Sequence, residues 1–175
     1  MDITLEMVRD EWNACYPKSR LAELYDRPHT PLDVLTRDDG EWATVSARDR
    51  LWTVLREGVL PDRTLRLFAC ECATRALNRE RAAGKEPDAR SWNAIDVARQ
   101  HADGQASDQG LAAAWAAARA AALVAAWAAA RDAAWAAARA AAWAAAWADE
   151  EVELVKILVA MLKAEAVKTE ATVRA

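Results

Sequence analysis

The chain is short of helix breakers and of the residue types that carry acid–base or metal chemistry. Of its 175 residues five are glycine and five proline, and neither occurs after Gly110. The five glycines read as helix stops or turns, with no Gly-rich loop to cradle a phosphate. The two histidines, His29 and His101, are too few and too isolated for a zinc site or a Ser/His/Asp arrangement. Of three cysteines only Cys70 and Cys72 lie close together. Residues two apart on a helix point about 200° apart, so this pair cannot share a metal. Cys72 is expected in the core and Cys70 on its flank. An odd cysteine count, with no export signal in Met1-Asp2-Ile3-Thr4-Leu5-Glu6, suggests reduced thiols and a cytoplasmic location. A net charge of −4 argues against general nucleic-acid binding, which needs a basic face. The longest charge-free run of the Ala-rich region, Ala120 to Ala130, is too short to span a bilayer, so no membrane partner is expected. No catalytic residue, metal ligand or cofactor is expected.

What the chain has in excess is alanine and tryptophan. From Leu111 to Trp147 it is almost pure alanine, marked at every fourth residue by Trp115, Arg119, Leu123, Trp127, Arg131, Trp135, Arg139, Trp143 and Trp147. Alanine loses no side-chain entropy in a helix, so this region is read as helical. A step of four overshoots one turn by about 40°, which places neighbours such as Trp115 and Arg119 almost above one another, within reach of guanidinium–indole stacking. Over the whole series the stripe drifts by roughly 320°, too far for one straight helix to bury every indole on one side. Breaks near Arg131–Asp132 and Ala148–Asp149 resolve this, an aspartate capping each new start. The tryptophans have two readings. In the first they fill the core; in the second Trp115, Arg119, Trp127, Arg131, Trp135, Arg139 and Trp143 form a ligand- or partner-binding wall.

Elsewhere the pattern gives shorter helices. Residues 3 to 15 read as one, ended by Pro17; Ser19 caps a second, running through Tyr25. Thr30-Pro31-Leu32-Asp33 combines a cap with proline at the first helical position, and Asp38-Asp39-Gly40 marks a turn. Ser46-Ala47-Arg48-Asp49 approximates a capping box, with Leu51, Trp52 and Leu55 as the inner face before Gly58. Pro61 opens an amphipathic helix whose inner face is Leu65, Phe68, Ala69, Cys72, Ala73, Ala76 and Leu77, and whose charged outer face includes Arg63, Arg66 and Glu71. It stops at Gly84. Another runs from Ala89 to Ala102, burying Trp92, Ile95 and Ala98, and Ser107 caps the alanine region. After Asp149, Val152, Val155, Leu158, Val159 and Leu162 form an apolar stripe with acids in front and lysines behind. No strand alternation is visible. The expected fold is an all-α helical bundle with a long, broken Ala/Trp-rich region. Its segments are 1–45 (short helices), 46–105 (amphipathic core) and 106–175 (Ala/Trp-rich and C-terminal helices), within one compact domain.

The block Asp49-Arg50-Leu51-Trp52 through Arg56-Glu57, then Leu60 and Arg63-Thr64-Leu65-Arg66-Leu67-Phe68-Ala69, resembles proteins encoded by bacteriophages and high-GC bacteria. In those a similar block precedes a helix ending like Val97-Ala98-Arg99 to Ala102-Asp103-Gly104, followed by an Ala/Trp/Arg repeat. More distantly, the helical order is similar to immunity proteins of bacterial toxin systems. The resemblance covers about residues 46 to 160, supplies no catalytic residues, and implies an accessory protein that counters host defence by binding. The expected function is therefore a non-enzymatic, homo-oligomeric binding protein whose partner is a host protein. The alternatives are sequestration of a small nucleotide-like signal, with arginine on phosphate and indole on the base, and a small hydrolytic enzyme.

Overall fold

The computed structural model describes residues 1–130 and 136–173, with side chains described outside 121–149 and 170–173. It is all-α. Seven α-helices are named here: α1 (Lys18–Leu24), α2 (Pro31–Thr36), α3 (Ala47–Val54), α4 (Asp62–Ala82), α5 (Ala89–Ala102), α6 (Asp108–Ala130) and α7 (Ala136–Val173). A π-helical turn at Met7–Glu11 precedes α1, and a 3-10 turn at Gly40–Thr44 precedes α3. Contacts group the chain into two compact units, one of Met1–Pro61 with Trp147–Ala175, the other Asp62–Ala146.

The first unit is built on short elements joined by long-range polar contacts. Ile3 and His29 pair antiparallel through two backbone hydrogen bonds of 2.7 and 2.9 Å, an isolated bridge that the helical reading of residues 3–15 did not contain. Helix there is confined to the turns around Met7–Glu11, because Ile3 is held in the bridge and Asn13 turns left-handed at φ +51°. Pro17 rather than Ser19 stands before α1, while on α2, where a cap was expected, Thr30 and Asp33 form a full capping box. Ser46 accepts from Asp49 N at 3.1 Å as expected, but the Asp49 carboxylate takes the hydroxyls of Ser46 (2.8 Å) and Tyr16 (2.6 Å).

The inner face of α3 is Arg50, Leu51, Thr53 and Val54, not Leu51, Trp52 and Leu55. Trp52 and Leu55 are exposed, Trp52 lying edge-on to Trp12 and under the Arg56 guanidinium at 3.8 Å. The reason is Arg50. It turns inward and donates to the carbonyls of Val34 (2.6 Å), Val45 (3.2 Å) and Trp42, rotating the helix away from its apolar flank. Trp42 is buried and donates its indole N–H to the Leu24 carbonyl at 3.0 Å. On α7 the buried centre is Leu158, fully enclosed, while Val152 is exposed; Glu151 pairs with Arg48 at 2.8 Å. The break expected at Ala148–Asp149 does not occur, since α7 runs through it: alanine before and glutamate after are both strong helix formers, and nothing removes a backbone donor. The break expected at Arg131–Asp132 lies outside the described residues.

In the second unit α4, α5 and α6 run antiparallel in sequence order. Arg63 meets Asp103 at 2.7 Å at one end of the α4–α5 pair, and Arg81 covers the Trp92 ring at 4.7 Å at the other. Between them Arg99 donates to Glu71 and Thr74, both at 2.9 Å. His101 reaches Asp108 at 2.6 Å across the α5–α6 turn. Helices α4 and α5 end alike. Gly84 (φ +79°) and Gly104 (φ +73°) take the left-handed position, and the next residue returns an amide to a carbonyl five back, Lys85 to Glu80 and Gln105 to Gln100. Ser107 caps α6 through Gly110 N at 3.1 Å, so Gly110 lies inside the first helical turn rather than at a stop.

The core of this unit is Cys70, Ile95, Ala98 and Leu111, with Ala73, Leu77, Trp92 and Val97 packed against it. Cys70 is the buried thiol and Cys72 only half-buried, the reverse of expectation; Ala69 and Ala76, expected inside, are exposed. Helix α4 is rotated so that Thr64, Phe68 and Cys70 turn in, which lets the Cys70 thiol donate to the Ile95 carbonyl at 3.8 Å.

Candidate functional site

The site is built where three alanine-bearing helix faces meet. Ala94 and Ala98 of α5 and Ala114 of α6 are all buried. Residues this small let the two helix backbones approach closely and leave no room for an indole between them. Trp115 is therefore turned out, 60% exposed, which overturns the core-filling reading at this position. No cation–π contact joins it to Arg119. The two instead stand side by side on the wall of a groove.

That groove has a volume of about 700 Å³. Helix α4 contributes Arg66, Ala69, Cys70, Ala73 and Leu77. Helix α5 contributes Ser91, Ala94, Ile95 and Ala98, and α6 contributes Ala112, Trp115, Ala116, Ala118 and Arg119. The floor is apolar: the Cys70 thiol is pushed up by burial and stays protonated there, against the lowering pull of the Arg99 and Arg66 charges. Besides the Cys70 thiol, polar groups are few: the Ser91 hydroxyl, the Trp115 indole N–H and the guanidinium groups of Arg66 and Arg119. Ala69, Ala112, Trp115, Ala116 and Arg119 are exposed, so the groove is open along its length rather than closed over.

The two arginines stand apart from their neighbours. Arg63, Arg81, Arg90 and Arg99 are each paired, with Asp103, Glu86, Asp88 and Glu71. Arg75 and Arg79 also have polar or electrostatic partners. Among the described residues, Arg66 and Arg119 are the arginines of this unit without an ion pair or hydrogen bond. The sequence pattern places Arg66 on the charged outer face of its helix; the rotation of α4 that turns Cys70 inward brings it to the groove.

Of the residues singled out in the sequence, the structure thus brings Trp115 and Arg119 together on one wall. The side chains of Trp127, Arg131, Trp135, Arg139 and Trp143 lie outside the described residues. Guanidinium stacking does occur elsewhere, Arg20 on Tyr16 at 4.3 Å and Arg50 beside Trp42 at 5.5 Å. Arg20 on Tyr16, like Arg56 on Trp52, is an i, i+4 pair outside the Ala/Trp series, whereas Arg50 and Trp42 are eight residues apart and meet only in the folded core. Among the described residues no group of three or more His, Cys, Asp or Glu could hold a metal, and no helix is long and apolar enough to cross a membrane. A scan against protein-family models, a search of curated proteins and a search of solved structures each find no match to this chain.

Proposed function

We propose that this chain is a non-enzymatic binding protein whose α4–α5–α6 groove accepts an amphipathic helix of another protein. The observation that carries this is the open, alanine-floored groove with Trp115 exposed on its wall. A small molecule in an open groove keeps one side in water, whereas a helix laid along it buries both surfaces. Alanine on three facing helices permits the close backbone approach that helix packing needs. Tryptophan and arginine are among the residue types most enriched in interface hot spots. The phage-type role, with a host protein as partner in a bacterial cytoplasm, rests on the sequence resemblance and adds the reason such a surface is useful.

The test is a photo-cross-linking residue placed at Ala116, inside the groove, and separately at Ala76, exposed on α4 but outside the groove lining. The expected outcome in a bacterial host is a cross-link from position 116 to a helical segment of one protein, with none from 76. Equal labelling from both positions contradicts the assignment.

A second reading, a nucleotide-like ligand, is favoured by one feature: Trp115 and Arg119 share a wall, and the indole is free to stack. Equilibrium dialysis with nucleotides, repeated on Arg119→Gln, decides it. Retention that disappears in the variant supports a small ligand; no retention sets it aside.

A further inference from the structure

We infer that the helix accepted by the groove carries two carboxylates on one face, about two to three turns apart, that meet Arg66 and Arg119. The inference rests on the groove reading above and adds the charge pattern of the partner.

The register of the three helices places the arginines at opposite ends. Arg66 lies one turn beyond Arg63, whose pairing with Asp103 fixes the end where α4 begins and α5 finishes. Arg119 is the last lining residue of α6, which runs antiparallel to α5, and so lies towards the other end of the groove. The groove lining runs from Arg66 to Leu77 on α4 and from Ala112 to Arg119 on α6, about 10–16 Å at 1.5 Å per residue, with the apolar floor of Ala73, Ala94 and Ile95 between. Each arginine is without an ion pair or hydrogen bond among the described residues, in a unit whose other described arginines all have partners. An unpaired guanidinium at each end of an apolar strip presents positive–neutral–positive along its length. A helix complements it with acid, apolar turns and acid on one face, the acids about seven to eleven residues apart. Arginine suits this because its planar fork meets a carboxylate in bidentate fashion.

The experiment is selection of a displayed library of helical peptides, each about sixteen residues long, on the full chain. The expected result is enrichment of peptides with Asp or Glu at that spacing around a small apolar face. Arg66→Gln and Arg119→Gln should each weaken these peptides roughly five-fold, and 1 M salt should do the same. Enriched peptides without that spacing, or unaffected by both substitutions, overturn the charge inference and leave the groove reading standing. If nothing is enriched, or if enriched peptides still bind Ala69→Trp, in which an indole fills the groove, both are overturned. Circular dichroism of each variant, matched to wild type, confirms that loss of binding is not loss of fold.

Discussion

Arg50 shows how one charged side chain decides the orientation of a helix. Arg50 is 8% exposed and its pKa is lowered by burial, yet it is held in place by three main-chain carbonyls, of which that of Trp42 also accepts from Val45 N. Arg50→Met keeps much of the stem's packing and removes the donors, so the expected cost is about 3 kcal/mol in urea unfolding, from stranding buried carbonyls. An arginine directly before Leu51 gives no hint of this in the sequence, because its partners come from α2 and from the turn between Gly40 and Val45. The thiols can be ranked in the same way. Cys70 is buried with its pKa raised, whereas Cys15 is exposed. Iodoacetamide at mild alkaline pH should therefore label Cys15 first and Cys70 only on unfolding, as peptide mass mapping would show. Early labelling of Cys70 would mean that the α4–α5 contact opens readily.

At the scale of the elements, caps were legible and faces were not. Thr30, Asp88 and Ser107 cap α2, α5 and α6, two of them where the sequence indicated, because a cap is a contract between residues two or three apart. The Asp88 carboxylate accepts from Arg90 N and from the Arg90 guanidinium, which together hold its pKa down to about 2. A carboxylate depressed in the fold contributes stability above its ordinary value near 4 and loses it as pH falls towards 2. Thermal melts of Asp88→Ala should thus lie below wild type at pH 6, with the gap closing by pH 2; a constant gap would show that charge is not involved. Helix faces, in contrast, depend on what approaches them. Periodicity named seven inner residues for α4, but Ala69 and Ala76 face out and Cys70 faces in, since alanine carries too little apolar surface to fix a helix rotation. Leu158 does carry it: fully enclosed on α7, it should cost about 3 kcal/mol when cut to alanine, while Val167→Ala, at an exposed position, should leave unfolding nearly unchanged.

For the whole molecule, composition was enough to give an all-α architecture, and the long Ala/Trp region does form helix over Asp108–Ala130 and Ala136–Val173. The division into two compact units and the Ile3–His29 bridge were not visible, because each depends on residues distant in sequence with no periodic signature. The groove was half visible. Trp115 and Arg119 stood out as members of a repeat, but the walls that make them a site come from Arg66, Ala69 and Ser91 on helices whose own patterns pointed only to packing.

The most direct measurement is the affinity of the cross-linked partner segment for wild type, Ala69→Trp and Ala76→Trp. Both alanines are exposed on α4, and only Ala69 lines the groove. A helix seated along the groove predicts at least about a ten-fold loss for Ala69→Trp, because overpacking a well-fitted contact costs on the order of 1–3 kcal/mol, and no change for Ala76→Trp. Equal affinity for all three would place the binding surface elsewhere on the chain and contradict the account.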